Sequence, residues 1–144
     1  MPAGKHSSSE VTITYDSSPG GSGVAITNSV LTMSGIKIEA PQQLSHAFGD
    51  SWEESTPTGM RKVPAITMTG FYDDTATTGP HTVLRVVDGD VDPQGSTRTL
   101  VVVFGNSVTF TVETRLMSYE VLGKNGNLTE YAAVVQPTGS AAWS

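Results

Sequence analysis

No cysteine occurs in the chain, which excludes a disulfide framework and a thiolate zinc site. A secreted β domain more often carries a bridge, so the absence favours assembly in a reducing cytosol. Charge is scarce too. Asp, Glu, Lys and Arg make up 15% of the residues, well below the usual quarter. The net charge is −6, and no cationic run exceeds the pair Arg61-Lys62. That balance argues against the basic patch that nucleic-acid binding requires. Apolar runs are short, none approaches membrane-spanning length, and no membrane partner is expected. The first ten residues hold no apolar stretch of the signal-peptide kind. His6, His46 and His81 are scattered without ligand spacing, so neither a metal nor a cofactor is expected.

Serine and threonine fill the gap. The chain has 16 Ser, 19 Thr and 15 Gly, a composition that disfavours helix and suits strands and turns. A surface this short of charge suits a protein covered by neighbours, because interface cores are depleted in charge. It equally suits a Ser/Thr-coated extracellular domain. At 144 residues the chain is long enough for one domain with a real core.

Residues 1–10 read as a flexible polar arm. Val11 to Tyr15 alternates apolar and polar and predicts a strand. Asp16 to Gly23 is rich in breakers and predicts a turn. Val24 to Glu39 is a second β region, interrupted at Asn28-Ser29 and Ser34-Gly35. A long loop spans 40–62, with one helical turn expected between Gln42 and Ala47. Val63 to Tyr72 is a strand with Ile66, Met68 and Gly70 on one face. Gly79 to Asp88 is the best helix candidate, with Pro80 at the first helical position. Arg98 to Phe104 predicts an unbroken apolar central strand. Gly105-Asn106-Ser107 signals a hairpin. Val108 to Leu122 follows as one long strand, with Phe110, Val112, Thr114, Leu116 and Ser118 on one face. Asn125-Gly126 turns it back into Leu128 to Gln136. Pro137 to Ser144 reads as a C-terminal tail. The fold class is mainly β: an antiparallel β-sandwich or open barrel with one short α-helix, a long loop and extended terminal arms.

Catalytic constellations fail on inspection. Phe48-Gly49-Asp50-Ser51 looks like an esterase nucleophile block, but the late Asp-x-x-His is missing: the last histidine is His81 and residue 78 is Thr78. Asp88, Asp90 and Asp92 alternate as in calcium loops. The sixth and twelfth positions hold Pro93 and Thr99, which leaves a weak cation site or a solvated acidic loop. Asp73 and Asp74 are adjacent in an extended segment and point to opposite faces, so they do not converge for acid–base work. They are expected to cap the next helix, to face solvent or to meet a neighbour's cation. No enzyme is expected.

Phe48-Gly49-Asp50, then Thr58-Gly59-Met60-Arg61, then Gly70-Phe71-Tyr72-Asp73-Asp74 follow one another along the chain. Their order and spacing resemble the tail tube (major tail) proteins of tailed bacteriophages. The resemblance continues through Arg98–Gly105, Thr111–Val121, Tyr131–Gly139 and Trp143. It implies a structural virion protein whose copies form hexameric rings. The rings would stack into a hollow tail tube that conducts DNA at ejection without binding it specifically. It implies tape measure, tail terminator and tail tip proteins as further partners. Phe48, Asp50, Trp52, Arg61, Asp73, Asp74 and Trp143 are the subunit-interface candidates. Trp52 and Trp143 either fold back on their own domain or anchor such contacts, where aromatics are enriched. Glu113 and Glu130 are lumen candidates, with Arg115 on the same face as Glu113. A second function class also fits: a virion decoration or carbohydrate-binding β-sandwich module using Trp52 and Tyr72.

Overall fold

The computed structural model describes residues 10–27, 30–75, 79–85, 95–105, 108–123 and 126–144. Along the chain come β1 (Thr12–Asp16), β2 (Gly23–Ala25), β3 (Val30–Ser34), β4 (Gln42–Leu44) and β5 (Ser55–Pro57). Then follow β6 (Ile66–Phe71), α1 (Pro80–Leu84), β7 (Arg98–Phe104), β8 (Val108–Leu122) and β9 (Glu130–Trp143). Seven strands form one sheet in the order β2-β1-β7-β8-β9-β6-β3, and β4 and β5 pair separately. Every pairing is antiparallel. The sheet curls into a half-barrel, so of the two expected forms the open barrel is the one observed. The expected arm at 1–10, but for Glu10, and the Asp88–Asp92 loop lie outside the described residues.

Alternation sets the inner face. On β7 Arg98, Leu100 and Val102 are buried; on β8 Phe110, Val112, Thr114 and Leu116; on β9 Tyr131, Ala133 and Val135. Ile66 and Met68 of β6 join them, as do Ile13 and Tyr15 of β1. Each fully buried large apolar side chain contributes about 1.5–3 kcal/mol relative to exposure. Strand β3 packs Val30 and Met33 onto this core and meets β1 and β7 across an apolar groove, which is where the curl stops short of closure.

Two bulges adjust the long hairpin, and each overturns a sequence expectation. Leu116 pairs with Val135 but Ser118 pairs with Val134, so Met117 is the extra residue. The phase of β8 inverts there: Ser118 is exposed and Tyr119 turns toward the core. Further on, Val112 pairs with Ala141 while Thr114 pairs with Pro137. Strand β9 passes Thr138, Gly139 and Ser140 opposite Glu113, with Gly139 at φ +108°. Pro137 therefore does not end the strand. It sits beside a bulge, where a missing N–H is tolerated, and β9 replaces the expected tail as far as Trp143.

Helix α1 is shorter than the stretch that suggested it. Pro80 is its first residue, and Val83 and Leu84 are buried against the sheet. Gly79 is its N-cap, in an ordinary extended conformation, and no side chain caps the helix. The residue must be glycine because a Cβ there would lie 2.6 Å from the Asp73 carbonyl oxygen and 2.8 Å from the Thr75 nitrogen. Gly79→Ala is expected to cost about 1–3 kcal/mol, the usual penalty of overpacking. An unchanged urea midpoint for this variant would refute the close approach.

Candidate assembly interface

The segment read as a long loop is a hairpin standing off the sheet. Gln42, Gln43 and Leu44 pair with Pro57, Thr56 and Ser55, and the Ser45 N–H donates to the Glu54 carbonyl at 3.0 Å. Of the helical turn expected at Gln42–Ala47, the first half, Gln42–Leu44, is thus a strand, because cross-strand pairing with Ser55–Pro57 supplies the backbone hydrogen bonds a turn would have made. All residues from Gln42 to Lys62 are exposed. A two-stranded hairpin with no covered face is marginal alone in water.

Its tip is shaped by Phe48-Gly49-Asp50. The Asp50 N–H donates to the Ala47 carbonyl at 3.1 Å, and Asp50 Oδ2 accepts from the Ala47 N–H at 2.6 Å. Gly49, at φ +94°, supplies the left-handed position such a turn needs. The turn drives Phe48 fully outward, at 110% relative exposure, and Trp52 follows at 82%. Leu44 and Met60 are exposed on the same hairpin.

At its base the Glu39 and Lys62 backbones bond reciprocally, at 2.7 and 2.9 Å. Lys37 Nζ lies 2.9 Å from Glu39 Oε1. That hydrogen bond, together with the charges of Lys37 and Lys62, holds the Glu39 carboxyl below the usual carboxylate range. Arg61 and Lys62 line a recess of about 360 Å³ with Ile38, Val63 and Ala141.

The other expected site residues are dispersed. Asp73 does not cap α1 with its carboxylate. Its Oδ1 accepts from the Thr75 hydroxyl and the Thr75 N–H, which lowers its pKa, and its main-chain carbonyl accepts from the His81 N–H. Asp74 is exposed. Trp143, half-exposed in β9, packs back on Phe110 with ring centroids 4.8 Å apart and on Phe104 at 6.1 Å. Glu113 accepts from the hydroxyls of Thr97 and Thr99 at 2.7 and 2.8 Å. Arg115 Nη2 donates to the Gly95 carbonyl at 2.9 Å. Both lie on the face of β8 opposite the core, and Glu130 is exposed at the start of β9. Among the described residues no group of three or more His, Asp or Glu converges as a metal site would need.

No family model and no curated protein sequence matches the chain. Solved structures do. The tail of an empty gene transfer agent particle, refined helically with C6 symmetry, superposes at TM-score 0.70 and 13% identity, covering 97% of this chain and 99% of that one. The SPP1 tail tube gives 0.66 at 11% identity, over 97% of this chain and 79% of that one. The sheath/tube terminator of an extracellular contractile injection system gives 0.66 at 10% identity, over 100% and 96%. The chain has the tail tube fold.

One cluster within this tail tube fold escaped the sequence reading. Helix α1 is clasped to the long hairpin by rings: His81 Nδ1 lies 3.0 Å from the Tyr119 hydroxyl, the Tyr72 ring lies 5.0 Å from that of His81 at a 55° tilt, and Tyr131 lies 6.0 Å from Tyr119. No residue spacing signals it, because the bulge at Met117 is what turns Tyr119 inward. Burial first, and then a neighbouring tyrosine's charge, pushes both Tyr119 and Tyr131 up to about 12 from an ordinary 10.0. A raised folded-state value means the unfolded chain ionises first. The stabilisation is whole below pH 10 and is lost as pH climbs toward 12. The melting temperature is therefore expected to fall steeply across that window, and less so in Tyr131→Phe. An equally steep fall in the Phe variant would remove Tyr131 as a cause.

Proposed function

We propose that the chain is the structural, non-enzymatic subunit of a tail tube in a phage-type virion. Its copies close into hexameric rings, and the rings stack into a hollow conduit for DNA ejection. The observation that carries this reading is the fully exposed β4–β5 hairpin, whose aromatic tip has no partner surface within its own chain among the described residues. Such a hairpin gains stability only when a neighbour covers it. The tail tube fold across nearly the whole chain supports the same reading, as does the C6 symmetry of the gene transfer agent tail.

Ring closure would use the open edges of the sheet rather than its longest hairpin. The long hairpin is internal, since β8 and β9 lie between β7 and β6. Among the described residues the open edges are the short strands β2 and β3, the overhang of β8 beyond Thr114, where the β7 partner ends at Arg98, and that of β9 beyond Val135, where β6 ends at Ile66. Six copies joined along these edges would bury unpaired backbone groups that otherwise invite aggregation. The outward face of the sheet, with Thr99, Thr109, Thr111, Glu113 and Arg115, is the proposed bore lining, with Glu130 at the far end of the long hairpin, opposite Leu122. At −6 per chain the assembled tube would be acidic overall, and its Thr-rich bore, with Glu113 and Arg115 in balance, would offer DNA no basic track to bind. Tape measure, terminator and tip proteins would meet the tube inside and at its ends, in the virion tail, after assembly in the host cytoplasm. A carbohydrate platform built on Trp52 and Tyr72 has less support, because Tyr72 packs edge-tilted against His81 rather than beside Trp52.

Negative-stain electron microscopy of the concentrated protein tests the reading. Hollow tubes or six-fold rings are expected. Dispersed particles at every concentration, even with a tail-tip complex added as nucleus, would sink it.

A further inference from the structure

The two ends of the stand-off hairpin are chemically complementary. From Ser45 to Ser55 the tip carries Asp50, Glu53 and Glu54 around the exposed Trp52, and no Lys or Arg. The base carries Arg61 and Lys62, two of only eight cationic side chains in the chain, at the rim of the recess lined by Ile38, Val63 and Ala141. Lys37 is tied to Glu39, whereas Arg61 is exposed with no ion pair among the described residues. The ladder from Glu39–Lys62 to Ser45–Glu54 holds the ends apart by six residues of strand, roughly 20 Å. A tip therefore cannot reach its own base.

We infer that the acidic, tryptophan-bearing tip of one copy seats in the Arg61–Lys62 recess of a second copy. Trp52 covers the apolar floor of Ile38, Val63 and Ala141 and stacks on the Arg61 guanidinium, a pairing that aromatic rings favour. Glu53 and Glu54 meet Arg61 and Lys62 at the rim, where charge sets register and excludes wrong pairings. The contact joins two different patches, so it is heterologous. It propagates from copy to copy instead of ending at a dimer. This inference rests on the tube reading for its biological setting, but it is testable apart from it.

The absence of cysteine makes disulfide trapping clean. Ser51→Cys places a thiol beside Trp52, and Ser140→Cys places one at the recess, and neither change alters a charge. Under mild oxidation, mixing the two proteins is expected to give mixed dimers at about tenfold over either homodimer, a ratio that corresponds to about 1.4 kcal/mol of preference. Adding Arg61→Glu to the Ser140→Cys protein should return the yield to the homodimer level. Reversing Glu53 and Glu54 to Lys on the other partner should restore it. Mixed dimers without tubes would uphold the contact and overturn the tube reading. Tubes from the unmodified chain with no excess of mixed dimers would overturn the contact alone. Excess mixed dimers that ignore both charge reversals would also overturn it, since proximity would then owe nothing to these groups.

Discussion

Arg98→Ala is expected to lower the stability of the fold by about 3–5 kcal/mol, a large share of what holds a domain of this size. Arg98 is fully buried at the start of β7, a position where charge is rare. Its Nη1 donates to the Val83 carbonyl at 3.0 Å, which pins the end of α1 to the sheet. Its guanidinium lies 5.6 Å from the centre of the Tyr15 ring. Its own carbonyl accepts from the Thr114 hydroxyl at 3.1 Å. That hydroxyl has one hydrogen, so the Tyr15 hydroxyl, 3.0 Å away, donates to Thr114. Strands β1, β7 and β8 and helix α1 thus meet on one buried polar chain. Alanine leaves a cavity of most of an arginine side chain and strips the Val83 carbonyl of a donor. Arg98→Met keeps most of the volume and should cost only about 1–2 kcal/mol. Urea unfolding measures both. An alanine variant within about 1 kcal/mol of the parent would show that the side chain bears no structural weight.

The same residue marks where sequence reading reaches its limit. The run Arg98–Phe104 was legible as a strand because six successive residues suit β structure and a hairpin turn follows. Its bounds, and those of Val108–Leu122, are the ones observed. The run is ambiguous about where Arg98 points. Alternation assigns it to the face of Leu100 and Val102, but an arginine at a strand end is ordinarily taken as solvated. Only tertiary packing, which brings the Val83 carbonyl over it, decides. Bulges defeat alternation in a similar way. A period of two is a local rule, and one extra residue at Met117 inverts it for Tyr119. Pro137 and Gly139 carry the composition of a chain terminator, yet a bulged ladder with β8 accommodates both.

The candidate interface was legible in part, for reasons of the same kind. Phe48, Asp50 and Trp52 stood out as aromatics and acids in a stretch with no core-facing period, and they sit together at one hairpin tip. Arg61 was equally visible, but its relation to the tip depends on the ladder that separates them. Asp73 and Trp143 drew notice for their residue type. Local partners account for them in the folded chain: Thr75 for the carboxylate, and Phe110 and Phe104 for the indole. Glu113 and Arg115 share the outward face that alternation assigned them, each held by a neighbour from the segment leading into β7.

Excising the hairpin tip is expected to abolish assembly while leaving the fold intact. Residues 45–54 can be replaced by an Asn-Gly turn, which joins paired Leu44 and Ser55 in the tightest hairpin geometry. The change removes Phe48, Asp50, Trp52, Glu53 and Glu54, none of which is buried. No residue of the core cluster lies within or beside the deleted stretch. The shortened loop also lowers the cost of closure, by about 1.4 kcal/mol for ten residues cut to two. The urea midpoint should therefore be no lower than that of the parent. Assembly depends on quite different terms. Phe48 and Trp52 each offer roughly 150–250 Å² of apolar surface that only a neighbour can cover. At about 25 cal/mol per Å², the pair supplies on the order of 8–12 kcal/mol of gross driving force per contact. Ordering and desolvation at the interface offset much of this. Its removal still leaves too little to hold subunits together at micromolar concentration. Sedimentation and electron microscopy should find the excised chain folded and dispersed under conditions where the parent forms tubes. If the excised chain formed normal tubes, the hairpin would be an ornament, and the sheet edges alone would have to carry the assembly.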